Sequence, residues 1–287
     1  MKVKRVARIH SGQDGAIWGP FLFRFQSDGG CYVYELARLA ESRGGEKESF
    51  AQFRLDRAEK LQPHSNAVVF GSEYAVPGDE FPLLYTNIYN TYAKAPDRME
   101  GTCCVYRLRR EGAAFDTELL QVIQVDFTND SQLWCSPDGR DVRPYGNFVI
   151  DPESNTYYAF TMRDADQTTR YFSFRLPKLC DGCIDENLGV RKVMLTAEGV
   201  IDYFDCPYHH YLQGACVHDG LIYSLEGFTD DPVSPPALRI IAPQKRAQQA
   251  VYELRAVGLS IEPELIDFWQ GQCYYADHDG NLYQIQF

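Results

Sequence analysis

Residues Glu264 to Phe287 read ELIDFWQGQCYYADHDGNLYQIQF. The stretch divides into an opening strand at Glu264-Leu-Ile-Asp, a second at QCYYADH and a third at NLYQIQF. The third shows period-2 alternation at Tyr283, Ile285 and Phe287, the spacing that puts side chains on one face of a sheet. Asp279-Gly280 between the last two is a turn signal. No fourth strand follows. At the other end, KVKRVARIH (Lys2 to His10) is a strand with no unit of its own. The N-terminal strand therefore completes the last sheet and ties the two ends of the chain together.

The same unit recurs upstream. It opens at Gly15-Ala-Ile-Trp, Asn66-Ala-Val-Val, Asn147-Phe-Val-Ile, Gly214-Ala-Cys-Val and Glu264-Leu-Ile-Asp, at spacings of 51, 81, 67 and 50 residues. Second strands are FLFRFQ, PLLYTNIYN, TYYAFTM, LIYSLEG and QCYYADH. Third strands are CYVYELARL, CCVYRLRR, RYFSFRLP, ALRIIAP and NLYQIQF. The pattern predicts fourth strands at SFAQFRLD, TELLQVIQVDF, RKVMLT and AVYELRAV. Within the widest spacing, NDSQLWCSPDGRDVRPY reads as an inserted loop. ELARLAESRGGEK is the best helical pattern, but Gly44-Gly45 makes it read as a turn. Four-stranded units repeated around a ring with no free edge describe an all-β, five-bladed β-propeller, one domain over residues 1–287, closed by its N-terminal strand. An irregular β-sandwich is the competing arrangement, and it has no use for the terminal closure.

Hydrophobic residues make up 45% of the chain and charged residues 24%, a globular composition. No run approaches the roughly 20 apolar residues of a membrane helix. Forty acidic residues against 28 Lys and Arg give a net charge of -12, which disfavours phosphate backbones and hence nucleic acid as a partner. The N-terminus carries positive charge without an apolar core or cleavage site, so a cytoplasmic location is expected. Nine irregularly spaced cysteines argue against a disulfide framework and for free thiols packed as small apolar groups.

The run His64-Ser-Asn-Ala-Val-Val-Phe-Gly-Ser-Glu-Tyr, followed by Asp79-Glu-Phe-Pro-Leu-Leu-Tyr, resembles a blade of uncharacterised β-propeller proteins of gut bacteria, in which an HxN opening and a DEFPLLY run recur. The resemblance covers one blade and implies the propeller fold. It carries over no catalytic residue. Taken as residues alone, DEFPLLY is a turn followed by a buried strand.

In a propeller, the loops from each outer strand to the next inner strand converge at one mouth of the central channel, and such clefts bind ligands. The converging segments are Gln13-Asp14, His64-Ser-Asn66, Tyr145-Gly-Asn147, Tyr211-Leu-Gln213 and Glu262-Pro-Glu264. Their amides, phenols and carboxylates suit a neutral polyhydroxylated ligand, because each hydroxyl both donates and accepts. His64, Asn66, Tyr145, Asn147, Tyr211 and Gln213 are thus the expected ligand contacts, with binding of a small polar ligand of carbohydrate type the expected function. The competing role for any one Asn or His is to satisfy backbone groups at strand ends. Asp14, His64 and Glu264 are the candidate catalytic residues of an alternative, a carbohydrate-active enzyme whose two carboxylates flank the scissile bond, with Glu262 and Glu226 as further carboxylates. His209 or His210 could also serve as a base. A protein-interaction scaffold is the third reading.

Two metal readings complete the set. Cys180 and Cys183 form a CxxC, and Cys206 with His209 follows, with 22 residues between Cys183 and Cys206, a donor set able to hold zinc. Acidic loops containing Asp164, Asp166, Asp230, Asp231, Asp277 and Asp279 offer oxygens for calcium, though without a dense ligand loop.

Overall fold

A computed structural model describes residues 1–41, 46–88, 99, 101–125, 142–163, 168–207, 209 and 211–287. Its strands form five antiparallel four-stranded blades, one of them extended. Strand β1 (Lys2–Arg8) is the outermost strand of the fifth blade. Blade one holds β2 (Gly15–Trp18), β3 (Phe21–Phe25), β4 (Gly30–Glu35) and β5 (Ala51–Arg54). Blade two holds β6 (Pro63–Phe70), β7 (Leu84–Ile88), β8 (Thr102–Glu111) and β9 (Ala114–Val125). Blade three holds β10 (Val142–Asp151), β11 (Thr156–Arg163) and β12 (Thr168–Arg175). Strands β13 (Cys183–Asp185) and β14 (Val190–Leu195) precede β15 (Val200–Pro207), the fourth strand of blade three. Blade four holds β16 (Leu212–His218), β17 (Leu221–Glu226), β18 (Ala237–Ala242) and β19 (Ala247–Glu253). Blade five holds β20 (Pro263–Trp269), β21 (Gln272–Asp277) and β22 (Asn281–Gln286). Strand β1 pairs antiparallel with β22 from Lys2 opposite Gln286 to Arg8 opposite Asn281. The chain is a five-bladed propeller closed by its N-terminal strand.

The inner strands β2, β6, β10, β16 and β20 pack side by side around the axis. The apolar core is divided into five clusters, each lying between two adjacent blades. The period-2 alternation seen in sequence arises here, because each blade buries both faces against its neighbours. Among the described residues the seam between blades one and two is the most aromatic: Phe23 meets Phe70, Phe81 and Phe115 at ring distances of 5.3, 5.8 and 5.8 Å. The DEFPLLY segment belongs to this blade. Phe81, Leu83, Leu84 and Tyr85 are buried, and Asp79 and Glu80 in the turn pair with Arg107 and Arg110.

Three expectations change. RKVMLT is not the fourth strand of blade three. Its residues lie in β14, which runs parallel to β9 and, with β13, widens blade two to six strands. The 12-residue β9 outgrows its own blade, and Leu195 and Val193 bury apolar area against the seam beside it. The fourth place in blade three goes to β15, whose Phe204 and Cys206 face inward. Second, Leu36–Glu41 is a short helix continuing directly from β4, with Leu36 and Leu39 buried, whereas a turn was expected. Third, Val142–Tyr145, the end of the expected insertion, belongs to β10; residues 129–141 of that loop lie outside the described residues.

Six of the described cysteines are buried among strands and two, Cys180 and Cys183, are exposed; all eight are free thiols. Cys135 lies outside the described residues. No described helix is long and apolar enough to cross a membrane.

Candidate functional site

Four of the five inner strands break register near the same end. The slips fall between Pro63 and Val68, Pro144 and Phe148, Leu212 and Ala215, and Pro263 and Leu265. Such bulges re-aim side chains that regular pairing would place on a blade face. Ser65, with φ of 58°, marks the sharpest of them. The side chains they turn toward neighbouring inner strands are polar: Asn66, Asn147, Gln213 and Glu264. Asp14, immediately before β2, supplies the fifth.

These side chains form a buried belt that ties blades together. The Asn147 amide donates to the carbonyls of Gln213 at 3.0 Å and Asn66 at 3.5 Å. Asn66 donates to the Leu212 carbonyl at 3.4 Å and accepts from the amide of Asn87. Asp14 accepts from the Val68 N–H at 2.8 Å, and its own N–H donates to the Ser65 carbonyl. The competing role considered for the asparagines, satisfying backbone, is the one the structure gives Asn66 and Asn147. Gly214 shows how closely the inner strands approach. A Cβ there would sit 2.1 Å from the Glu264 carbonyl and 2.4 Å from Asp14 Oδ1. Because the first of these atoms is backbone and cannot swing away, Gly214→Ala is expected to cost about 3 kcal/mol, the upper range of overpacking, read as a lower urea midpoint; an unchanged midpoint would contradict this spacing.

Beside Glu264 the belt reaches solvent through His278 and half-buried Glu262. Glu264 is fully buried, and its Oε1 lies 2.9 Å from Nδ1 of His278, a side chain 46% exposed. Gln13 reaches the same oxygen at 3.4 Å. Half-buried Glu262 accepts from Gln213 Nε2 at 2.6 Å. Glu262, Glu264 and His278 offer ligand atoms within 4.8 Å of one another, and they are the one such group of His, Cys and carboxylates among the described residues. Burial pushes the Glu264 carboxyl up to about 7, against the pull of His278 and Arg24. Burial also raises Glu262, while the hydrogen bond to Glu264 raises His278.

Behind the opening lies Arg24, fully buried on β3. Its Nη2 donates to the carbonyls of Gly12 and Asp277 at 2.8 and 2.7 Å. Its charge acts on Glu264, Asp14 and Asp277. Several buried atoms here have no hydrogen-bond partner: Arg24 Nε and Nη1, Asp14 Oδ1, Asn147 Oδ1 and Glu264 Oε2.

The expected site residues divide accordingly. Asn66, Asn147, Gln213 and Glu264 converge, with Asn66 and Asn147 committed to backbone carbonyls. Asp14 is fully buried, and its Oδ2 accepts from the Val68 N–H of the neighbouring blade. His64 is half-buried in β6, where burial lowers its imidazole pKa, and it is His278 that meets Glu264. Tyr211 is 45% exposed, with φ of 52°, and its ring lies 5.4 Å from that of exposed Phe228. The side chain of Tyr145 lies outside the described residues. Glu226 pairs with Arg239 within blade four.

The expected zinc set does not assemble. Cys180 and Cys183 are exposed beside β13, on the added edge of blade two, whereas Cys206 is buried in blade three and buried His209 meets the Tyr171 hydroxyl. The separation follows from the corrected strand order. His210, Asp164 and Asp166 lie outside the described residues. The remaining acidic loops brace turns: Asp231 accepts from the Val233 and Ser234 N–H groups, and Asp277 from the Asn281 backbone and side chain.

Sequence reasoning missed Arg24, Asn87 and His278. Arg24 had a signal, a lone cation inside FLFRF. Asn87 is similarly placed in LYTNI. His278 lay in a loop read only for its aspartates.

No family model matches the sequence, and no curated protein does. Among solved structures, a glutaminyl cyclase from Myxococcus xanthus aligns over 100% of this chain and 94% of its own, at 10% identity and a TM-score of 0.50. The computationally designed Ika8 protein aligns over 99% of this chain and 100% of its own, at 9% identity and a TM-score of 0.36. At such identity the likeness to the cyclase speaks to the propeller fold alone.

Proposed function

We propose that the mouth of the propeller binds a small polyhydroxylated ligand of the saccharide class. The observation that carries this reading is the placement of the Tyr211–Phe228 pair. Thr229 Oγ1 accepts from the Glu262 N–H at 2.7 Å, which ties the loop carrying exposed Phe228, and through it the Tyr211 ring, to the half-buried carboxylate residue. An aromatic face next to amides and carboxylates accommodates a sugar ring, apolar on its C–H face and polar at its rim. Glu262 and His278 are reachable from solvent, and Gln213 fixes Glu262.

The glycosidase alternative fares less well. Retaining enzymes hold their two carboxyl groups about 5–5.5 Å apart across the sugar, and inverting enzymes more; here Glu264 is fully buried and pairs with His278, which leaves half-buried Glu262 as the solvent-reaching carboxylate of the pair. Asp14 is not available as the opposite member.

A thermal-shift and calorimetry panel of mono- and oligosaccharides tests the proposal. A ligand at about 100 times its Kd adds about 2.7 kcal/mol of stability, a shift of a few degrees in Tm. Tyr211→Ala and Phe228→Ala, both surface changes, are expected to weaken the best hit at least about tenfold, or 1.4 kcal/mol. Silence across the panel, or unchanged affinity in both variants, would overturn it and turn attention to a protein partner.

A further inference from the structure

We propose that Glu262, Glu264 and His278 hold a divalent cation of borderline softness, zinc or manganese, at the channel mouth. Three observations converge on this. The first is geometric. Ligand atoms bound tetrahedrally at about 2.0–2.2 Å stand roughly 3.4 Å apart. The Nδ1–Oε1 separation of 2.9 Å and the 4.8 Å limit on all three pairs bracket that value. Small side-chain movements therefore open a site, with no change of backbone.

The second is an unspent acceptor. Glu264 has a side chain 1% exposed, and its Oε2 has no partner. A buried carboxylate oxygen left without a donor costs free energy that a cation would recover. The surrounding side chains are acidic: Asp14, Glu264 and Asp277 act on the buried Arg24 guanidinium, and Glu262 acts on Glu264.

The third is bracing outside the donor set. Gln213 holds Glu262 at 2.6 Å and Gln13 holds Glu264 at 3.4 Å. Hydrogen bonds of this kind orient metal-binding carboxylates. They come from blades four and one, which flank blade five on its two sides.

The donors select the ion. One imidazole with two carboxylates suits zinc or manganese, whereas calcium takes six to eight oxygens. Three protein donors would leave a coordination position open. That is the count of sites whose metal meets a water or a ligand; structural zinc sites are closed by four protein donors. The inference deepens the ligand-binding reading and rests on it only for what would meet the open position.

The test titrates Zn²⁺ and Mn²⁺ into chelator-stripped protein by calorimetry, with no saccharide present. Cys180→Ser/Cys183→Ser protein is used throughout, so that the exposed thiols cannot bind zinc. One equivalent per chain and a raised Tm are expected. Glu262→Gln and His278→Gln should each weaken binding at least about tenfold, equal to 1.4 kcal/mol. Both change solvent-reaching side chains, and each variant's metal-free Tm confirms its fold. Binding well below one equivalent with no Tm shift, or full-strength binding by His278→Gln, would overturn the site. Because the aromatic pair is untouched, failure of the saccharide panel and failure of the metal site read out separately.

Discussion

A chain lacking residues 1–8 is expected to lose most of its stability. Strand β1 contributes six paired positions to the edge of blade five, and Ala7 is buried in the seam with blade one. At about 0.5–1.5 kcal/mol net for each hydrogen bond, the ladder is worth several kcal/mol. A domain has only about 5–15 kcal/mol in total. The deletion also does what an equal loss elsewhere would not. It separates the chain ends, so that blades one and five are held only by side-chain packing and by contacts such as Ile9 N–H to the Gly280 carbonyl at 2.8 Å. It further leaves β22 as an open edge, a template for aggregation. The truncated protein should unfold at a much lower urea concentration, with a flatter transition. A peptide of residues 1–9 added in trans should restore part of the loss by strand addition. An unaltered midpoint would mean that ring closure contributes little.

That closure was legible in the sequence because it needed only counting: three strands at one end, an unassigned strand at the other. Blade number was legible for a similar reason. Each unit opens with a polar or small residue before an apolar triplet, and Gly and Asp punctuate the turns. The error in blade three shows the limit. RKVMLT and VIDYFDC both alternate, and nothing local says which pairs with β12. The actual partner of β14 is β9, far back in the chain and parallel to it, a non-local choice made by the apolar area left open beside β9.

The site was legible as a set of positions but not as geometry. The openings placed Asn66, Asn147, Gln213 and Glu264 at one end of the ring, where they are. Whether such a residue faces a ligand or a neighbouring backbone depends on the bulge beneath it, and a slip of one residue reverses the face. Thus Asn147 spends its amide on two carbonyls, while Glu264 keeps an oxygen unpaired. Asp14 looked like a mouth residue because it ends a converging loop, yet it is fully buried and accepts from the Val68 N–H of the next blade. His278 could be assigned only once β21 was seen to end beside β20.

Arg24→Met should separate the protein's behaviour at low and high pH. The guanidinium is fully buried and faces Asp14, Glu264 and Asp277. Burial holds Asp14 well above its ordinary value, and Glu264 at about 7. A carboxyl whose folded pKa is raised gives the fold its full benefit below the unfolded value and loses it as pH rises toward the folded one. For Glu264 that window runs from its ordinary 4.5 to about 7; for Asp14 it opens at 3.8. Arg24 works against this loss, because its charge pulls both carboxyls back down. Removing it raises them further, deepens the loss and carries the window upward. Near pH 4 the carboxyls are protonated and have little need of a cation, and Arg24 itself is buried with two nitrogens unpartnered; the variant should there lose no more than the hydrogen bonds to the Gly12 and Asp277 carbonyls, about 1–3 kcal/mol. Near pH 8 it should be weaker by about 3–5 kcal/mol, the range for a buried charge deprived of its partner. Urea unfolding of chelator-treated protein from pH 4 to 8 measures the difference. A gap between variant and wild type that stays constant across that range would show that Arg24 serves the fold by packing and by its bonds to Gly12 and Asp277, and that its charge does not hold the carboxylates.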